Sequence, residues 1–253
     1  MMAMYRDLRR HPPVPWRWPD LLKALAAAVV VFFMAAILVQ LGRAPLRALE
    51  RDLMRQGLSP HVYLLILNSL IAYVAAVVAL ALFIMRPHHA SWATLGYRSV
   101  PVLRLAIPLL AYPVTAFVAL DVQAAVVQFA LHGHFVNPQA QEIAGGVTRT
   151  AANTVGLLLL VAVLAPLVEE TVFRGVLYQW LRKSLPVWAA AGISAAIFAA
   201  AHAIPTIFPW LFVTGLALAL VFEYSETLYC SMLLHGIING VTVVMLIGTL
   251  HSR

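Results

Sequence analysis

Two adjacent glutamates and an arginine stand in the middle of an otherwise apolar run, "PLVEETVFRGVLYQWL", residues 166–181. Inside a membrane-spanning helix a carboxylate costs at least about 2.5 kcal/mol by insertion scales, so ionisable groups there face the bundle interior and tend to serve a function. Glu170 and Arg174 are four residues apart, which puts both on one helix face, and the plain reading of that pair is a self-neutralising ion pair. Glu169 is turned about 100° away around the helix and has no such partner in the motif. It needs a different environment, and general-base catalysis is one candidate for it.

Two later apolar segments carry groups that complement a base. In "AAIFAAAHAIP", His202 lies one helical turn after Phe198; in "LLHGIINGV", His235 and Asn239 are again four apart and project from one face. Each has an ordinary reading by itself. A histidine in a helical bundle is commonly a hydrogen-bonded packing residue, an asparagine is interhelical glue, and Gly236 with Gly240 has the small-xxx-small spacing of close helix packing. The combination points further: one unpaired carboxylate, two imidazoles and one amide, on three separate segments. At about 1.5 Å per residue, Glu169 lies roughly 18 Å, His202 roughly 22 Å and His235 roughly 11 Å from segment ends on the same side, so all three fall in one slab near the bilayer centre.

The elements that must hold these groups follow from composition. Of 253 residues, 62% are hydrophobic and only 11% charged, with a mean hydropathy of +0.88, which is the class of a polytopic membrane protein. The net charge of +7 does not indicate nucleic acid, because the cations sit in short segments between apolar runs and form no basic stripe. The single Cys230 excludes an internal disulfide framework and a cysteine-based zinc site. Apolar runs at about 21–41, 61–85, 102–131, 154–181, 187–203, 207–224 and 228–250 predict an all-α transmembrane bundle of about seven to eight spans, since a crossing takes roughly 20 residues. The count is open at 102–131, where Pro108, Pro113 and Asp121 allow one kinked helix or two pieces.

Residues 1–18 form a basic, proline-rich leader with no apolar core of its own, and residues 19–253 read as one integral-membrane domain. The first apolar run is longer than a signal peptide's and is expected to remain as an anchor. Between the first two runs, "RAPLRALERDLMRQGL" gathers Leu46, Leu49 and Leu53 on one face and Arg47, Glu50, Arg51 and Arg55 around the other, the pattern of a helix in the headgroup plane or of a solvated loop helix. Counting Lys and Arg on alternate sides favours an N-terminus inside, with Arg6, Arg9, Arg10, Arg17, Lys23, Arg86, Arg98, Arg104, Arg182 and Lys183 on the inner side.

The three motifs, Glu169-Glu170-x-x-x-Arg174, Phe198-x-x-x-His202 and His235-x-x-x-Asn239, stand in the order and spacing of a known family. The sequence resembles the CAAX prenyl endopeptidase and bacteriocin-processing (Abi, CPBP) family of intramembrane proteases over about residues 150–245. That resemblance implies a helical bundle with a membrane-embedded polar cavity and peptide-bond hydrolysis by an activated water. Glu169 and His202 would activate the water, His235 and Asn239 would bind the oxyanion, and Glu170, Arg174 and Phe198 would support them. No HExxH run is present, so a zincin site is absent. One carboxylate and two imidazoles are still a permissible zinc set, which would be Glu169, His202 and His235; the reading favours no obligatory metal. The partners expected are the lipid bilayer and a membrane-associated peptide or protein, prenylated or not, with no nucleic acid. The composition suggests a bacterial inner membrane. The alternative class is a non-proteolytic immunity, scaffold or transport protein that uses the same polar cluster, with Asn68, Tyr73 and Asp121, for binding. The oligomeric state is not specified by the sequence.

Overall fold

The computed structural model describes residues 14–41, 43–135, 137, 141 and 150–251. Among these residues all regular structure is helical. In hydrocarbon a chain must satisfy its own backbone N–H and C=O groups, and a helix does so within one segment. The helices, in chain order, are α1 (Trp18–Leu41), α2 (Arg43–Arg55), α3 (Pro60–Leu80), α4 (Trp92–Leu95) and α5 (Ala106–Phe129), then α6 (Ala151–Leu181), α7 (Val187–Ala201), α8 (Phe208–Ser225) and α9 (Leu228–His251). Within α6 the α-helical stretches are interrupted by two wider π-helical ones, Leu159–Leu164 and Thr171–Tyr178.

Among the described residues six helices are long and apolar enough to cross a membrane: Trp18–Ala35, Val62–Met85, Val102–Phe129, Ala151–Leu181, Pro205–Ser225 and Leu228–Gly248. The difference from seven to eight expected spans is α7. Its 15 residues extend about 22 Å, short of a hydrocarbon core of about 30 Å. The reason is local. Pro205 drives the residue before it out of helical geometry, Ile204 is extended at φ −121° and ψ 91°, and Ala203 takes a left-handed φ of 54°. The run 102–131, open in the sequence, is one helix that passes through Pro113 after a 3-10 entry turn.

The helices group into two compact units. The first comprises Met1–Arg17, His88–Val136 and Glu169–His235. In it α8 packs against both α5 and α7, around a core that includes Tyr178, Ala190, Ala191, Ala219, Phe222 and Leu228. Small residues bring α7 and α8 close: a Cβ on Gly215 would lie 3.0 Å from the Ala195 Cα. Without a hydrophobic drive between helices in lipid, such close van der Waals approach is what holds them. One end of this unit is polar. Buried Glu223 accepts from the Tyr178 hydroxyl at 2.9 Å and from Arg182 Nη2 at 3.0 Å, while Arg104 Nη1 donates to the Ser225 carbonyl and to Glu226. Thr227 Oγ1 donates to the Arg98 carbonyl. Arg98, Arg104 and Arg182 thus gather around the end of α8.

The end of the leader also belongs to this unit. Residues 1–13 lie outside the described residues, but Val14 and Trp16 are buried, Trp16 completely. The indole Nε1 donates to the Val176 carbonyl at 3.2 Å and Lys183 Nζ donates to the Trp16 carbonyl at 2.9 Å. The last residues of the leader, which has no apolar core of its own, are thus buried, with Trp16 bonded to α6.

The second unit comprises Trp18–Pro87, Asn137–Val168 and Gly236–Arg253. Here α3 packs against α1, α2 and the first stretch of α6, over a small core of Val62, Leu157 and Val243. Ser59 caps α3 by accepting from the Val62 N–H, and its own N–H donates to Oδ1 of fully buried Asn153 at 2.8 Å. The amphipathic segment between the first two spans is helical over Arg43–Arg55, with Leu49 exposed. Asn68 and Asp121, considered above as transport groups, are exposed on α3 and α5, and Tyr73 is half-buried.

Gly96 ends α4 in the left-handed region at φ 107°, and a Cβ there would stand 2.7 Å from Phe222 Cε2. Both conditions exclude a side chain. Gly96→Ala is expected to lower stability by about 2 kcal/mol, read as a lower thermal midpoint in detergent. An unchanged midpoint would contradict the close approach of α4 to α8.

Candidate active site

The π-helical stretch Thr171–Tyr178 begins directly after the two glutamates. Such widened turns are frequent at functional sites. Glu170 and Arg174 are both completely buried, and Arg174 Nη1 donates to Glu170 Oε1 at 2.7 Å. The ion pair read from the sequence is therefore present. Arg174 is held further by Nη2 donating to the Gly215 carbonyl at 3.0 Å and by the Phe198 ring, 4.7 Å from the guanidinium carbon. This position is over an aromatic face, where a desolvated cation gains about 2 kcal/mol.

His235 joins the pair to the second glutamate. Its Nδ1 lies 2.9 Å from Glu170 Oε1 and its Nε2 lies 3.9 Å from Glu169 Oε2, with Glu169 22% exposed and His235 3%. A carboxylate that is already paired with Arg174 accepts, so Nδ1 carries the hydrogen and donates. In the neutral ring Nε2 then keeps its lone pair on the side of Glu169. The four-residue spacing predicts one partner, Arg174, for Glu170. Its second, sixty-five positions along the chain, has no local signal.

Phe198 is the centre around which the other rings are arranged. Its ring centroid is 5.1 Å from Phe173, 4.8 Å from His202 and 5.8 Å from His235, all edge-to-face. His202 ends α7 and is half-buried. Its Nδ1 donates to the Phe198 carbonyl at 2.8 Å, because a carbonyl only accepts, and Nε2 is left as an acceptor. Both histidines are thus fixed in the same tautomer by what their Nδ1 atoms touch. Glu169, Glu170, Arg174, Phe198, His202 and His235 all lie in the first unit.

Asn239 is one turn beyond His235 on α9, in the second unit, where its Nδ2 donates to the Val161 carbonyl at 2.7 Å. In that unit a Cβ on Gly236 would stand 2.6 Å from the Ala162 carbonyl oxygen, so glycine there serves close packing of α9 on the first π-helical stretch. The amide N–H of Asn239 does the work of interhelical glue. Among the described residues no three His, Cys, Asp or Glu side chains converge to hold a metal ion. As placed, Glu169, His202 and His235 do not form a zinc ligand set.

A buried ion pair that loses one partner leaves an uncompensated charge, at a cost of about 3–5 kcal/mol. Glu170→Gln is therefore expected to lower the thermal midpoint sharply, while Glu169→Gln, partly exposed and outside the pair, leaves it near the wild-type value. Equal midpoints for the two variants would show that Arg174 does not depend on Glu170.

Residues 151–241 match the family model described as type II CAAX prenyl endopeptidase, Rce1-like. No curated protein and no solved structure matches the chain. The matched segment runs from the start of α6 into α9 and contains every site residue named above. By that match the segment 151–241, which carries the two glutamates, the arginine and both histidines, is similar to the type II CAAX prenyl endopeptidase family.

Proposed function

We propose that the protein is an intramembrane endopeptidase that hydrolyses a peptide bond of a membrane-associated peptide or protein, CAAX-like lipidated sequences included. The observation that carries this reading is the His235 ring held between two carboxylates: Glu170, tied to Arg174, on Nδ1 and Glu169 on the side of Nε2. Glu169 is the general base. It takes a proton from a water whose other contact is His202 Nε2, and the water oxygen attacks the scissile carbonyl carbon. The carbonyl oxygen becomes an oxyanion, and the departing amine takes up the proton that left the water.

His235 can serve the oxyanion only as an imidazolium, because in the neutral ring its one N–H is committed to Glu170. A proton on Nε2 makes it a donor, and the Glu170 carboxylate balances the charge, the role the buried aspartate has in a serine-protease triad. Preorganised donors of this kind contribute several kcal/mol to transition-state stability. Asn239 as a second donor is proposed from the family resemblance alone. Glu170, Arg174 and Phe198 are positioning residues, residues 19–253 act as one membrane domain enclosing a polar cavity, and the membrane is a bacterial inner membrane. No metal is assigned a step.

The test is cleavage of a fluorogenic lipidated and unlipidated peptide library by the purified protein in detergent, with and without a chelator. Glu169→Gln is expected to lose about 10²–10⁴-fold in rate at an unchanged thermal midpoint. Full activity in that variant would refute the assignment of the base. Loss of wild-type activity with chelator, restored by added zinc, would assign a metal to the site, and no cleavage by any well-folded form would favour the non-proteolytic binding role.

A further inference from the structure

We propose that Trp16, which lies outside the family-matched segment, is a positioning residue for the glutamate pair: its indole N–H holds the Val176 carbonyl and so fixes the π-helical register of Thr171–Tyr178. The role rests on the reading of Glu169, Glu170 and His235 as the reactive centre.

A π-helical stretch holds one more residue than the α-helix that could replace it, so its relaxation to α turns whatever lies on one side by about 100° relative to the other. The far half of the stretch and the residues after it are pinned. Tyr178 and Arg182 both bond Glu223, and the Gly175 backbone abuts α4, where a Cβ on Gly175 would stand 2.8 Å from the Leu95 carbonyl oxygen. The rotation would therefore fall on Glu169 and Glu170, and would carry Glu170 off His235. What favours the wider turns is a supply of donors for carbonyls at their far end. Gln179 Nε2 donates to the Gly175 carbonyl at 2.6 Å, and Trp16 Nε1 donates to the Val176 carbonyl at 3.2 Å, where the Gln179 backbone N–H also points.

Of these donors the Trp16 indole is the one that comes from outside the helix. It has no exposed surface, and its main chain is tied to the same helix end through Lys183 Nζ. A ring that served only to fill space would work equally well as phenylalanine. The indole N–H distinguishes a positioning role from packing.

The experiment uses the full chain in detergent, labelled with ¹⁵N-histidine, with the His235 ring signals identified by their loss in His235→Gln. Trp16→Phe keeps the ring and removes the donor. It is expected to move the His235 Nδ1 signal toward that of an unbonded ring, at a thermal midpoint near the wild-type value. On the peptide that the wild type cleaves fastest, it is expected to lower kcat about tenfold with KM unchanged, within the range that small misplacements of reacting groups produce. Lys183→Met, which loosens the same strap from its other end, is expected to shift the signal in the same direction by less, and it decides the matter should Trp16→Phe fail to fold. Wild-type His235 signals in both variants would overturn the proposal, and so would a lowered midpoint with an unmoved signal, which would make Trp16 a packing residue. A shifted signal in a protein whose wild type cleaves nothing would sink the peptidase reading and leave the positioning role standing.

Discussion

The constraint on which the site depends is a completely buried ion pair, Glu170 with Arg174, in a helix made for hydrocarbon. Two charges removed from water incur desolvation penalties that their mutual attraction offsets only when the remaining hydrogen-bonding capacity is also used. The surroundings meet part of that demand, leaving Glu170 Oε2 and Arg174 Nε without a hydrogen-bond partner among the described residues. Arg174 takes the Gly215 carbonyl and the face of Phe198, and Glu170 takes the His235 N–H. Each of these contacts demands something of another helix. Gly215 must lack a side chain so that α8 approaches α7, Phe198 must sit one turn before His202, and α9 must present His235 at the depth of Glu170.

From the pair outward, the same contacts set the chemistry. Because Glu170 is committed as an acceptor, His235 is committed as an Nδ1 donor, and because the Phe198 carbonyl can only accept, so is His202. Each neutral imidazole therefore keeps its Nε2 as an acceptor, that of His235 lying 3.9 Å from the partly exposed Glu169. Groups that were independent in the sequence become a coupled set in which the charge on one fixes the protonation of the next. This is why Arg174, by way of Glu170, bears on which nitrogen of His235 carries the hydrogen.

Much of this architecture was legible beforehand. Uninterrupted apolar runs can only be helices in a bilayer, and the four-residue spacings placed Glu170 with Arg174 and Phe198 with His202 because neighbours on a helix face are set by its period. The length of α7 was misjudged, since hydropathy continues to residue 203 while Pro205 and a left-handed Ala203 end the helix at Ala201. The burial of Trp16 gave no sign at all. A tryptophan among prolines and arginines reads as a leader, and the carbonyl it serves lies 160 positions along the chain.

The sequence by itself determined that the protein is a membrane-embedded helical bundle, which residues carry charge inside it, and which of them share a helix face, because all three follow from hydropathy and from a fixed helical period. Only the tertiary structure decided that His235 is shared between Glu170 and Glu169, that Phe198 carries Arg174 and both histidines, and that Trp16 reaches α6. Those contacts join positions far apart in the chain, and the widened turns that align them arise from donors and close approaches contributed by other segments, which no local pattern of residues contains.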